Sequence, residues 1–138
     1  MTDALSAAAA PLDIGDLSEI PESQPLNDGS YAFKIRSAKV IQQQMKDGTE
    51  KEKLQLVLLA EGQPDADPII DGIFLPSPQD SPEDVLGAKR RLKRVFYAAG
   101  VASNVPADLV NKVVHLEVRG KMYEGERIAN VRWPKAHQ

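Results

Sequence analysis

The stretch Gly29-Ser-Tyr-Ala-Phe-Lys-Ile-Arg-Ser-Ala-Lys-Val40 restricts the possible folds more than any other part of the chain. Tyr31, Phe33 and Ile35 alternate with Ala32, Lys34 and Arg36, the period of two expected of a strand with one buried face. After Arg36 the phase slips by one residue, and Ala38 and Val40 take over the apolar positions. Such a slip predicts a β-bulge, which bends a strand and lets it serve two parts of a curled sheet. A long, bent opening strand argues for a small β-barrel.

The rest of the chain can be laid against this strand. Gln42 to Lys53 is polar and contains Asp47-Gly48, a strong turn signal, so it reads as a long hairpin loop. Leu54 to Ala60 is nearly all apolar, as in a buried second strand. Ile69 to Leu75 makes a third, with Ile69, Ile73 and Leu75 on one face and Ile70 and Phe74 on the other. A helix is predicted from Pro82. Ser81 can cap it, Pro82 suits the first helical position, and Glu83 and Asp84 complement the positive end of the helix dipole. Val85, Ala88, Leu92, Val95, Phe96 and Ala99 recur at helical spacing, and Gly100 supplies the stop. After a short helical turn near Pro106 to Asn111, Val113 to Arg119 alternates as a fourth strand. Lys121 to Arg127 is expected to turn, and Ile128 to Trp133 forms the fifth strand.

Three strands, a helix and two further strands match the element order of an OB-fold, a five-stranded, partly open Greek-key barrel. The expected class is therefore mainly β, a five-stranded OB-fold-like barrel with one helix between strands 3 and 4. A five-stranded open sheet with a covering helix is the alternative.

Charge divides the chain at Asp28. The formal net charge is −3, yet residues 1–28 hold six of the 20 acidic residues and no lysine or arginine. The remaining 14 acids face all 17 basic residues, so residues 29–138 carry +3. Residues 1–28 mix alanine, proline, serine and acids with few apolar side chains, and are expected to be a disordered acidic tail on a mildly basic domain of residues 29–138. Those acids could compete with nucleic acid for a basic surface or recruit a partner. The alanine run near Met1 has no basic residue ahead of it, so a cytoplasmic protein is expected, and no apolar run approaches the roughly 18 residues that span a bilayer.

Catalytic signatures are missing from the sequence. It has no glycine-rich phosphate loop, no nucleophile elbow and no cysteine. His115 lies mid-strand and His137 near the end, neither beside other metal ligands, so no enzyme activity, metal or cofactor is expected. Binding is the better prospect. Strands 4 and 5 each carry a polar face, with His115, Glu117 and Arg119 on one and Asn130 and Arg132 on the other; Lys121 and Tyr123 sit on the turn between them. Lys34 and Arg36 point away from the core face of strand 1. Cations of this kind track phosphates, and nearby rings stack bases at roughly 1–3 kcal/mol each. Tyr123 is the best stacking candidate. Phe74 has room beside Gly72, and Trp133 could either stack or seal the barrel end. Arg90, Lys93, Arg94 and Tyr97 share a helix stripe that a solvated face explains as well as a phosphate site does, and the main site is expected on the strands.

Taken together, Asp28 to Ile35, Asp71-Gly-Ile-Phe-Leu75, Arg91 to Val101 and Val114 to Val131 resemble phage-encoded single-stranded-DNA-binding-like OB-fold proteins. The likeness covers about Asn27 to Trp133, and its landmarks are Gly29-x-Tyr31, the Gly100-Val101 helix end and Tyr123-x-Gly125 before Asn130-Val131. It implies binding of single-stranded DNA with little sequence preference during phage DNA replication or recombination in the host bacterial cytoplasm, with replication or recombination proteins as further partners. The expected contacts are Lys34, Arg36, Arg119, Lys121 and Arg132 to phosphates, and Phe74, Tyr123 and Trp133 to bases. Many such proteins end in an acidic tail, whereas this chain keeps its acids at the N-terminus. The rival class is a protein-protein interaction module using the barrel and the acidic arm.

Overall fold

The computed structural model describes residues 13, 15–20, 22 and 24–136. Five strands form one antiparallel sheet: β1 (Gly29–Gln44), β2 (Glu50–Ala60), β3 (Ile69–Phe74), β4 (Val113–Tyr123) and β5 (Glu126–Arg132). Their order across the sheet is β3-β2-β1-β4-β5. The single α-helix among the described residues, α1 (Pro82–Ala98), lies between β3 and β4 in the chain.

The bulge foreseen in the first strand is present. The β1–β2 register runs Ile35 opposite Leu58 and then Ser37 opposite Val57, leaving Arg36 as the extra residue. Here β1 changes neighbours as well. Gly29 to Lys34 pair with β4, after which the Ile35 N–H donates to Lys112 O and its carbonyl accepts from Asn111 N. Beyond Arg36 the strand pairs with β2 alone. The extra residue thus sits where β1 leaves β4 and becomes the edge of a three-stranded β1–β2–β3 segment, which narrows to a two-stranded hairpin beyond Ile41, and a bulge supplies the bend at such a point.

That hairpin is longer than its sequence indicated. Gln42, Gln43 and Gln44 pair with Glu52, Lys51 and Glu50, so most of the expected loop is ladder. Only Met45 to Thr49 turn, with Met45 N–H donating to Thr49 O at 2.7 Å and Gly48 at φ +88°. A glycine is needed there because that left-handed conformation costs other residues about 1–2 kcal/mol. Near the other hairpin, β4 continues to Tyr123 and β5 begins at Glu126, so the expected seven-residue turn shrinks to Glu124 and Gly125. Both have positive φ, 50° and 81°, the two-residue turn whose twist matches its flanking strands.

The helix begins and ends as its sequence dictates. Ser81 accepts from the Asp84 N–H at 3.2 Å, and Pro82 opens the first turn. At the other end Gly100 takes φ +69°, its N–H reaching Tyr97 O while Val101 N–H reaches Phe96 O. This pair of bonds is a Schellman closure that satisfies otherwise open carbonyls.

Inside the curl lie Phe33, Ile35, Leu54, Leu56, Leu58, Val114 and Val118, with Val95 of α1 and Leu109 closing over them. Full burial of each such side chain is worth about 1.5–3 kcal/mol. Leu26, only 5% exposed, joins this core although it precedes the sheet. Gln24 and Asp67 exchange two backbone-anchored hydrogen bonds nearby, at 2.9 and 3.1 Å. Packing therefore starts before Gly29. In the rest of the expected tail, Leu17–Glu19 form an exposed 3-10 turn capped by Asp16; the expectation for residues 1–12 lies outside the described residues, as does that for His137.

The expected barrel is not closed. β3 and β5 are the two sheet edges, and among the described residues no ladder joins them. They nevertheless meet through side chains, since Trp133 Nε1 donates to Asp71 Oδ2 at 2.7 Å.

Candidate nucleic-acid interface

Strand alternation decides which side chains reach solvent. In the β4–β5 ladder Glu117 faces Arg132, Arg119 faces Asn130, Lys121 faces Ile128 and Tyr123 faces Glu126. The intervening residues Leu116 and Val118 are buried, so these four pairs all lie on the outer face. Arg119, Lys121, Tyr123 and Arg132 therefore share one strip. At about 3.4 Å per residue, Glu117 to Tyr123 spans roughly 20 Å. The Tyr123 ring is 60% exposed at its end, held there by the tight Glu124-Gly125 turn.

The half of this hairpin nearest its turn is tied to the segment before β1. Arg127 donates from Nη1 to the Leu26 carbonyl and from Nη2 to Asp28 Oδ1 at 2.7 Å. The same Asp28 oxygen accepts from the Gly120 N–H at 2.7 Å. These donors, the Arg127 guanidinium first, hold the Asp28 carboxyl below the usual carboxylate range. Position 120 has to be glycine for this, because a Cβ there would fall within 2.8 Å of Arg127 Cζ. Charge on the strip is partly spent locally: Glu117 Oε1 accepts from both Arg119 Nε and Nη2 at 2.6 Å. For Lys121 and Arg132 no acidic partner lies within 4 Å among the described residues.

The other expected contacts sit elsewhere. Lys34 is exposed on the same outer face but opposite Val113, at the far end of β4 from the Tyr123 turn, and it lines a separate hollow with Leu59, Glu61 and Gln63. Arg36 is the exposed bulge residue beside it. Phe74 is two strands away in the opposite direction. The space that Gly72 was expected to leave beside it is taken by the Lys53 stem, whose Cδ would lie 2.7 Å from an added Cβ. Lys53 Nζ then reaches Gln43 Oε1 at 2.7 Å and sits 5.9 Å from the Phe74 ring centre, a cation–π contact. Trp133 turns to the core side, half-buried, its N–H committed to Asp71. Burial pushes the Asp71 carboxyl above its ordinary value, against the indole hydrogen bond.

Sequence reasoning missed a second element of the basic surface. An open cleft of about 630 Å³ beside the strip is lined by Arg132 and His115 together with Arg94 from α1 and Lys135 after β5. The helix stripe that was set apart from the strands thus contributes a cation next to them. No local signal could have shown this, because it depends on how α1 packs against the sheet end. Among the described residues there is no cluster of acids and histidines that could hold a metal, and no helix is long and apolar enough to cross a membrane. No family model and no curated protein matches the chain.

Proposed function

We propose that this protein binds single-stranded DNA without catalysis and with little sequence preference, in support of phage DNA replication or recombination, as an OB-fold-like barrel left open between β3 and β5. The strand order supports that assignment: β1 pairs with both β2 and β4, and the two edges lie close enough for Trp133 to reach Asp71. The observation that carries the functional reading is the outer strip of the β4–β5 hairpin. Arg119, Lys121 and Arg132 lie in register on one face that ends at the exposed Tyr123 ring. Cations spaced along a strand suit a flexible polyanion, and a ring with a free face can stack any base.

The test is the affinity of the full chain for fluorescent oligo-dT across a range of salt concentrations. Each phosphate neutralised on a single strand contributes about 0.7 to the log–log slope. A slope of 2 or more, with duplex of equal length bound more weakly, is the expected result. A flat response, or equal binding to duplex, would refute the reading.

One observation favours a protein-interaction module instead. A groove of about 690 Å³ runs between α1 and the β1–β2 arm, lined by Val40, Leu54, Leu92, Phe96 and Tyr97. Capture of a protein partner that survives nuclease treatment, with no oligonucleotide binding, would support that role.

A further inference from the structure

We infer that the cleft between α1 and the β4–β5 strip is a second phosphate-binding segment, so that a bound single strand leaves the hairpin and passes between Arg94 and Arg132. This rests on the reading proposed above and adds to it a route and two residues, Arg94 and Lys135, that belong to neither sheet face.

Three features of the cleft point to an extended anion. First, its cations come from two separate parts of the chain, Arg94 from α1 and Arg132 with Lys135 from the end of β5 and just beyond it, with the His115 ring of β4 as a further hydrogen-bonding group in the lining. The fold brings α1 and the end of β5 to one cleft. Second, their charge is not balanced within the protein. Arg94, Arg132 and Lys135 have no acidic partner within 4 Å among the described residues, and the one carboxylate in the cleft wall, Glu117, is already held by Arg119 at 2.6 Å. Like charges gathered around a concavity raise the local concentration of anions, because a low-dielectric wall focuses their field. Third, the site is roomy and open. Its volume of about 630 Å³ falls within the range of ordinary ligand sites, about 300–1,000 Å³. Arg132 and Lys135 are exposed and Arg94 is half-buried, so none forms the enclosed, fully desolvated cage that a single small anion needs.

The cleft is also continuous with the strip. Arg132 belongs to both, since it pairs with Glu117 in the β4–β5 register and lines the cleft with Arg94. A strand stacked on Tyr123 and running along Lys121 and Arg119 meets Arg132 next and enters the cleft there. A polyanion with charges in series fits such a path, whereas an isolated phosphate would use only one end of it. Trp133 forms part of the cleft wall and is the chain's one tryptophan, so its emission reports occupancy of this segment.

The experiment measures oligo-dT binding by the full chain and by Arg94→Ala, Lys135→Ala, Arg90→Ala and Tyr123→Ala, with Trp133 emission followed in the same titrations. Arg90 is exposed on α1 but does not line the cleft, so it controls for loss of general positive charge. Arg94→Ala and Lys135→Ala are each expected to weaken binding several-fold and to lower the salt slope by about 0.7, with Arg90→Ala close to wild type. Saturating oligo-dT should change Trp133 emission in the wild type. Unchanged affinity and slope in both cleft variants, with Tyr123→Ala still weakened, would overturn the cleft and leave the strip standing. Equal losses in Arg94→Ala and Arg90→Ala would also overturn it, since charge alone would then account for them. If wild-type protein binds no oligo-dT at low salt, the strip and the cleft fall together.

Discussion

Trp133 and Asp71 lie 62 residues apart in sequence and join the two edges of the sheet through one 2.7 Å hydrogen bond. Asp71 shares the core side of β3 with Ile69 and Ile73, and the ring of Trp133 packs against the same core. The bond therefore serves where a backbone ladder is missing. It also settles an orphan donor, because a half-buried indole N–H without an acceptor is costly.

Replacing Trp133 by Phe keeps a ring but leaves the Asp71 carboxylate without its indole donor. Stability should fall by about 1–3 kcal/mol, the usual cost of stranding a buried polar group. Urea unfolding followed by circular dichroism checks this. A loss below about 0.5 kcal/mol would mean that the two edges are held by something else.

Asp71 also sets a pH dependence. Burial raises its folded pKa above the ordinary value of 3.8, so the native state holds this proton more tightly than the unfolded chain. By linkage, stability falls as pH rises from the unfolded pKa through the raised folded one, and the penalty is fully present above both. Asn at position 71 retains an acceptor for Trp133 but cannot ionise. Asp71→Asn should therefore melt at a higher temperature than wild type at pH 7, and the gap should close as the pH approaches 3. A variant that melts lower at neutral pH would contradict the assignment of burial as the larger effect.

Asp28 behaves in the opposite sense. Its carboxyl is held low by Arg127 and by the Gly120 N–H, so its contribution is complete above the unfolded pKa and is lost as pH falls through the lowered folded one. Arg127→Ala removes the main donor and frees the Leu26 carbonyl as well. That variant should melt at a lower temperature at pH 7, and hydrogen exchange should quicken at Gly120, whose N–H donates to Asp28. Unaltered exchange at Gly120 would show that the Asp28 bond does not depend on the guanidinium.

Much of the fold can be read from local pattern, and the exceptions share a physical cause. The bulge at Arg36 follows from a phase slip, the helix ends from Ser81-Pro82 and Gly100, and the outer position of Arg119 and Arg132 from alternation, whereas Lys121 joins them only because β4 runs on through the expected turn. Leu26 gives no such signal, being a lone leucine between Pro25 and Asn27, and only the finished core reveals a place for it. Gln42 to Lys53 lacks an apolar period because that hairpin arm has little to bury, so charged and amide side chains pair across it instead. The Asp71–Trp133 bond and the cleft that Arg94 and Arg132 line together depend on packing between distant segments. Phe74 shows a further reason. Whether the space beside Gly72 is free depends on the rotamer of Lys53 on the neighbouring strand, which no reading of β3 alone contains.

Tyr123 and Lys121 lie two residues apart on the same face, yet their removal should leave different signatures in binding. Tyr123→Ala takes away a stacking surface and no charge. Affinity for oligo-dT should drop by about 1–3 kcal/mol, roughly 5- to 150-fold, while the slope of log affinity against log salt stays at the wild-type value. Lys121→Ala removes one cation and no ring, so the slope should fall by about 0.7 and the loss should shrink as salt rises. Both residues are exposed and outside the core, so neither change should move the melting temperature by more than surface substitutions usually do. Anisotropy titrations of both variants at three or more salt concentrations separate the two effects. Should Tyr123→Ala lower the slope, or Lys121→Ala leave it untouched, the division of labour between ring and cation on this strip would be wrong.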